Sequence, residues 1–289
     1  MCVGASLVGA GANFGLIAMQ RSAGRAASNG TELMRVFSWL GLAPALANAI
    51  GPVLAGGLID IGGFTAAFAA LALLPLLCLV TARQVPVEAP PAQLRDGKPP
   101  STWSLLETPG LRRLLLVNWL LSSCWDVHAF LVPILGHERG FSASAIGLVL
   151  GAFALAVASV RLLIPMLAHR LREAQVLTGA MLWIALVLAV YPLVQTAALM
   201  IVCAVLLGLA LGAVQPMIMS TLYQLTPRER HGEATALRSM TINFSSAVMP
   251  LLFGVIGAAV GSATLFWVMA AASGIGSTQA RRTGQPSAG

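Results

Sequence analysis

Residues 197–222 read AALMIVCAVLLGLALGAVQPMIMSTL and contain no charged side chain. A helix needs about 20 apolar residues to cross about 30 Å of hydrocarbon, so this stretch is long enough to span a bilayer. Its apolar run is continuous, whereas the strands of a transmembrane barrel alternate apolar and polar positions over about ten residues. The stretch therefore predicts a transmembrane helix.

The composition of the whole chain is typical of a protein surrounded by lipid. Hydrophobic residues make up 57% of the 289 positions and charged residues only 9%, against about 25% in an average soluble domain. The formal charge is +7, but the basic residues are scattered between apolar segments, which argues against a nucleic-acid partner. The sequence thus predicts an all-α fold, a polytopic bundle of helices whose partner is the lipid bilayer.

Nine apolar runs can be marked, and long and short polar segments alternate between them. Cytoplasmic loops collect Lys and Arg, and all of these residues lie on one side except Arg139, on the other side, and Arg161, inside a run. We expect a multi-pass protein of the plasma membrane, the inner membrane of a bacterium, with its N-terminus outside and its C-terminus in the cytoplasm. The runs cover residues 2–20, 36–59, 64–82, 114–135, 146–168, 176–194, 197–222, 240–260 and 262–277.

Glycine and proline features recur along the chain at a nearly constant offset. Because internal repeats define the halves of many transporters, runs one to three are predicted to repeat as runs seven to nine. A counterpart of runs four to six would need roughly 85 to 90 residues before residue 1, so the N-terminal half is expected to be incomplete. The matching features are Pro52 and Gly56 with Pro250 and Gly254, Gly11 and Gly15 with Gly208 and Gly212, and Gly62 and Gly63 with Gly261.

With this pattern the chain resembles the major facilitator superfamily, whose members have two six-helix halves joined by a long cytoplasmic loop. The proline-rich residues 83–113 resemble that loop, and the nine runs resemble the family's last nine helices of twelve. The resemblance implies two pseudo-repeated halves. It places a partial N-terminal half of three helices at residues 1–82, the loop at 83–113, a C-terminal half of six helices at 114–280 and a cytoplasmic tail at 281–289.

Two stretches are similar to family motifs in altered form. The segment Pro165 to Arg172, with His169 and Arg170, resembles the cytoplasmic loop signature, although Pro165 and His169 replace its glycine and aspartate. Residues 51–57, GPVLAGG, resemble an antiporter signature but are one residue too long. The second stretch favours export by antiport.

The strongest candidate for chemistry is Asp126, the one acid deep in an apolar run. A charge at the centre of a membrane helix costs about 2.5 kcal/mol or more, so such a group is a functional candidate. Asn118, Ser122 and Asp126 recur every four residues and so share one helical face. Asp126 is expected either to couple transport to protons or to bind a cationic solute; alternatively it only hydrates the cavity or pairs with a donor on another helix.

Two other ionisable groups lie inside runs. His128 follows Asp126 by two residues, about 200° round the helix, and is interpreted as a satisfied packing residue. Arg161 lies about two turns from the cytoplasmic end of its run. There it could either snorkel to the interface or bind an anion.

The family resemblance also implies roles for polar and helix-breaking residues. The family's central path is lined by helices that correspond to the first and seventh runs, and helices such as the second and eighth flex between inward-open and outward-open forms. Static kinks are the alternative to flexing, because proline removes a helical hydrogen bond in either case. The cavity candidates are Asn13, Gln20, Asn48, Gln215, Tyr223, Asn243 and Ser246, and the bending candidates are Pro52, Gly56, Pro250 and Gly254.

The motifs favour a transporter over an enzyme. The sequence has no nucleophile motif, no metal-ligand spacing and no phosphate-binding glycine loop followed by Lys and Ser or Thr, so we expect no cofactor and no metal. The preferred function is secondary transport of a small solute by alternating access as a monomer, with proton-coupled efflux ahead of uptake. The other prediction left open is a truncated membrane remnant without transport activity.

Overall fold

The computed structural model of the protein describes residues 2–27, 29–83 and 101–283. The backbone alone is described at residues 2–10, 13, 26, 45, 48–61, 64, 66, 67, 71, 81, 82, 143, 144 and 170. No strand occurs in these ranges, which confirms the all-α fold. The helices are α1 (Cys2–Ala26), α2 (Gly30–Ala82), α3 (Pro109–Glu138), α4 (Ala143–Leu167), α5 (Glu173–Val190), α6 (Ala197–Gln224), α7 (His231–Val260) and α8 (Ser262–Thr283).

Short 3-10 segments lie between these helices, at Thr102–Glu107, Ala168–Arg170, Tyr191–Leu193 and Arg228–Arg230. Helix α3 begins at Pro109, because proline suits the first turn, where its missing N–H would have no helical acceptor. Residues 109–113, predicted as the end of the linker loop, are therefore its first turn. The predicted boundary between the two halves remains a prediction.

Glycines with positive φ separate helices at two equivalent positions of the predicted repeat. Helix α2 is interrupted at Gly63, which has a φ of 69°, and α7 ends at Gly261, which has a φ of 83°. Both values lie in the region that glycine reaches without a Cβ clash. The backbone therefore leaves the helical conformation at both of these matched positions.

The described chain divides into two compact units, residues 44–100 and residues 1–43 with 101–289. In the first unit the described part is the rest of α2, with exposed apolar side chains such as Phe68 and Leu77. In the second, α4 packs on α6, α5 packs on α6 and α8, α3 packs on α7 and α8, and α1 packs on α7.

Two glycines let α4 and α6 approach closely. A Cβ atom added to Gly208 would lie 2.6 Å from the carbonyl oxygen of Phe153, and one on Gly212 would lie 2.9 Å from the Cα atom of Val157. Small residues at helix contacts are typical of membrane bundles, where close backbone packing replaces the hydrophobic effect as a driving force. Their repeat partners Gly11 and Gly15 have no such neighbour within 4 Å among the described residues.

The outer surface of α4 shows why the bundle belongs in lipid. Leu148 and Leu155, seven residues apart, are 64% and 69% exposed, whereas Val149 and Val157 are buried. A helix that is apolar on its exposed face as well as its buried face needs an apolar solvent. Five segments in the described ranges are long and apolar enough to cross a membrane: Pro109–Glu138, Ala145–Leu167, Glu173–Leu193, Ala197–Gln224 and Arg228–Val260.

Candidate functional site

Asp126 joins α3 to α7 through serine hydroxyls. Ser245 donates to its Oδ2 atom at 2.6 Å and Ser246 donates to its Oδ1 atom at 3.2 Å. Ser245 is fully buried and its Oγ atom also lies 3.1 Å from that of Ser123, which donates to the carbonyl oxygen of Trp119 at 2.9 Å. We call Asp126, Ser123, Ser245 and Ser246 the acid cluster.

The acid cluster contains one hydrogen too few when Asp126 is ionised. Ser245 then donates to the carboxylate, so the single hydrogen of Ser123 must serve either Ser245 or the carbonyl of Trp119. When Asp126 is protonated, its hydroxyl donates to Ser245, Ser245 donates to Ser123, and Ser123 donates to the carbonyl. Each hydrogen bond of the acid cluster then has its own hydrogen atom. The cluster can therefore accept a proton by reversing the direction of its hydrogen bonds.

Arg161 is buried between helices and does not snorkel. Its side chain is 5% exposed, and its two Nη atoms donate to the carbonyl of Gly41 and, at 2.7 Å, to Oε1 of Gln215. Pro165 follows four residues later and cannot donate a helical N–H to the carbonyl of Arg161. The hydroxyl of Ser38 on α2 donates to that carbonyl instead. Arg161 thus ties α4 to the start of α2 and to α6.

Ser38→Ala is expected to lower the free energy of unfolding by about 1–3 kcal/mol, because it leaves a buried carbonyl without a donor. Thermal unfolding of the purified protein in detergent measures this. Ser159→Ala is the matched control, because the Ser159 hydroxyl donates at 2.8 Å to Leu155 of its own helix, and its loss should change stability by about 0.5 kcal/mol or less. Equal losses in the two variants would contradict the role of Ser38.

Tyr223 fastens α6 to α1, α2 and α7 near the ends of these helices. Its hydroxyl donates to the carbonyl of Gln20 at 3.0 Å and lies 3.2 Å from Oγ1 of Thr235. Its ring stacks on Phe37 with the centroids 5.1 Å apart and the planes 9° from parallel. The ring also lies against Gly24, where an added Cβ atom would be 2.8 Å from Cζ.

A second contact at the same end involves Glu173 at the start of α5. Its Oε1 atom accepts from Ser220 at 2.9 Å and from Gln224 at 2.7 Å. Ser220 also lies 3.2 Å from the carbonyl of Gly30, to which its hydroxyl can donate instead. We call this end of the second unit, where Arg35 and Arg230 also lie, the basic end. The contacts of Tyr223 and Glu173 close α1 and α2 against α5, α6 and α7 there.

Several other predicted site residues lie outside the acid cluster. Asn118 is buried, and its Nδ2 atom has no acceptor in the described ranges. Ser122 is half-buried and its hydroxyl forms no hydrogen bond within the described part, so it does not join the acid cluster. Asn243 is exposed and lies one turn from Ser246 on α7. The surroundings of Asn13, Asn48, Pro52, Gly56 and Arg170 lie outside what the structure describes.

The described bending residues lie within a helix, and the described loop residues lie on the surface. Helix α7 continues through Pro250 and Gly254, and Pro250 leaves the carbonyl of Ser246, four residues earlier, without a helical donor. His169 and Arg172 are exposed after α4. Arg35 of α2, a residue outside the motif, donates from Nε to the carbonyl of Pro165 at 3.1 Å.

His128 is a packing residue, but it is not satisfied. Its ring stacks on Phe153 with the centroids 3.9 Å apart, and neither ring nitrogen has a hydrogen-bond partner in the described part of the chain. In the same ranges no three His, Cys, Asp or Glu side chains come together as metal ligands.

Sequence reasoning missed Ser123, Ser245, Ser38 and Arg238. Ser123 lies three residues before Asp126 and so shares its helix face as well as Ser122 does, a spacing that could have identified it. Pro165 signals a free carbonyl at Arg161, although nothing in the sequence shows which helix supplies the donor. Arg238 was placed in a polar segment on the basic side, whereas it lies inside α7 and is 4% exposed.

The sequence matches the Major Facilitator Superfamily over residues 1–125 and 114–281. The chain therefore belongs to this family of membrane transporters and is a multi-pass membrane protein. No curated protein matches the chain.

Solved transporter structures have the same fold. A bacterial homologue of the iron transporter ferroportin in an outward-facing state gives a TM-score of 0.69 at 20% identity, covering 89% of this chain and 65% of that one. The human organic anion transporter TETRAN gives 0.69 at 19%, covering 91% and 66%. The E. coli fucose:proton symporter FucP gives 0.75 at 14%, covering 93% and 73%. This chain thus spans about two thirds of the length of the first two.

Proposed function

We propose that the chain acts as a proton-coupled secondary transporter, with Asp126 as the group that takes up and releases the proton. The acid cluster is the observation that carries this proposal. It contains a carboxylate at membrane depth, held by hydroxyls that can donate to it or accept from it. An acid kept in a membrane helix at a cost of about 2.5 kcal/mol or more is a candidate for a proton pathway.

The position of the acid cluster supports coupling between the proton and movement of helices. Asp126 lies on α3, while Ser245 and Ser246 lie on α7, so the protonation state changes hydrogen bonds between two helices. Pro250 leaves the carbonyl of Ser246 without its helical donor, which weakens α7 beside the cluster. Protonation of Asp126 would thus act on a helix that bends more easily there, the role proposed for Pro250 and Gly254.

The basic end supplies the gate of an alternating-access cycle. By the positive-inside rule this end faces the cytoplasm, which leaves the N-terminus outside. The contacts of Tyr223 with Gln20 and Phe37, and of Ser220 with Gly30, would have to separate for that side to open. Efflux remains a prediction from residues 51–57, and a monomer in a bacterial inner membrane remains an expectation.

The test is solute-driven proton movement in inverted membrane vesicles that contain the full chain and a pH-sensitive dye. A panel of small carboxylates, sugars and amines is added without any other energy source. We expect at least one solute class to change the internal pH in vesicles with the protein and not in vesicles without it. No change with any class would contradict the proposal and would favour a membrane protein without transport activity.

A further inference from the structure

We propose that Arg161 and Arg238 form a binding site for an oxyanion, the carboxylate or phosphate group of the transported solute. Both side chains are buried, with 5% and 4% of their surface exposed. No carboxylate forms an ion pair with either one in the described ranges. An unpaired buried charge is costly, so a bound anion would stabilise these two cations.

Both arginines have N–H groups without an acceptor among the described residues. Arg161 uses both Nη atoms, but its buried Nε–H has no acceptor among the described residues. The guanidinium of Arg238 forms no hydrogen bond within the described part, and its Nε atom is buried. Nδ2 of Asn118, a residue 2% exposed, also lacks an acceptor in the part of the chain that the structure describes. These groups are all N–H donors, and the ligand that completes them must supply acceptor oxygens.

The helix register places Asn118 and Arg238 at one depth. Arg230 donates to Ser104 at 3.1 Å beside the starts of α3 and α7, and Asp126 meets Ser245 farther along, so the two helices run in the same direction. Asn118 lies eight residues before Asp126 and Arg238 seven before Ser245. Both are therefore about 10–12 Å from the acid cluster, on the side of the basic end.

Arg161 reaches the same region from α4. The carbonyl of Arg161 accepts from Ser38, and the adjacent Phe37 stacks on Tyr223. The hydroxyl of Tyr223 lies 3.2 Å from Oγ1 of Thr235, which is about one turn before Arg238 on α7. No described carboxylate forms an ion pair with either cation to offset the repulsion between them. An oxyanion between them would bind both and remove this repulsion. Oxyanions suit guanidinium groups, whose forked N–H donors match two oxygens at once.

This site defines the substrate class of the transporter proposed above. It rests on that proposal only in treating the anion as the transported solute. An ionised Asp126 about 10 Å away repels a bound anion, so protonation of Asp126 strengthens anion binding, and the anion strengthens proton binding equally. This sign of coupling moves the anion and the proton together. It argues against the antiport that residues 51–57 predict.

Thermal unfolding of the purified full chain in detergent tests the site at equilibrium, without any gradient. Sodium succinate and sodium phosphate are titrated against sodium chloride of equal ionic strength, and tryptophan fluorescence reports the midpoint. We expect a saturable rise with at least one of the two oxyanions beyond the effect of chloride. Arg238→Gln should weaken the apparent affinity about tenfold or more, while Arg238→Lys should retain part of it.

The same variant separates a binding role from a structural one. Because Arg238 has no described hydrogen-bond partner, Arg238→Gln should leave the midpoint without oxyanion unchanged or higher. Arg112→Gln, which removes an exposed charge on α3, should leave the oxyanion response unchanged. No rise in the wild type, or a full rise in Arg238→Gln, would overturn the site. Anion binding without any solute-driven proton movement would contradict the proposed coupling alone.

Discussion

Asp126→Asn is expected to reduce solute-driven proton movement about tenfold or more, and to remove the dependence of solute transport on pH. The asparagine amide can donate to Ser245 as a protonated carboxyl does, so the hydrogen-bond chain through Ser123 to Trp119 remains filled. The side chain can no longer release its proton, which fixes the acid cluster in one state. Because the variant has no carboxyl group to change charge there, proton movement should fall towards that of vesicles without the protein.

The control for this prediction is Glu138→Gln on the same helix. Glu138 also accepts a serine hydroxyl, from Ser262 at 2.7 Å, but it lies at the far end of α3 from the basic end. This variant should retain proton movement and its pH dependence. Proton movement that is unchanged in Asp126→Asn, or lost equally in both variants, would contradict the role of Asp126.

Gly208→Ala is expected to cost about 1–3 kcal/mol of stability through overpacking. The new Cβ atom would lie 2.6 Å from the carbonyl oxygen of Phe153, a backbone atom that moves only if α4 shifts away from α6. Since α4 also carries Arg161, the shift would disturb that residue's contacts with Gly41 and Gln215. Thermal unfolding in detergent should show a midpoint lowered by about 2–4 °C for each kcal/mol.

Gly151→Ala on α4 is the matched control. No described atom lies within 4 Å of the position of its added Cβ atom, and alanine is favoured over glycine inside a helix by about 0.8–1.0 kcal/mol. This variant should keep or raise the unfolding midpoint. A Gly208→Ala protein as stable as Gly151→Ala would show that α4 and α6 do not pack as described.

The fold follows from the sequence because lipid leaves few alternatives. A continuous apolar run in a bilayer must be helical to satisfy its backbone groups, and the glycines at 63 and 261 recur where a turn is needed. The bounds of the helices were less predictable. Arg238 was placed in a polar segment but lies inside α7, because hydropathy alone cannot predict that a charged residue is buried between helices.

The candidate site was predictable only in part. Asp126 stands out because a charge in an apolar run is rare. The spacing of four residues between Ser122 and Asp126 pointed to Ser122 as its neighbour. The hydroxyls that contact it, on Ser245 and Ser246, come from a helix more than a hundred residues away. Tertiary packing decides which helix faces Asp126, and periodicity within one helix does not encode that packing.

Whether Asp126 exchanges a proton in the folded protein can be measured directly by infrared difference spectroscopy during a pH titration. We predict a protonated-carboxyl C=O band that grows as the pH is lowered, is retained in Glu138→Gln and is absent from Asp126→Asn. Difference spectra of the wild type and Asp126→Asn that superimpose throughout the titration would contradict proton uptake by Asp126.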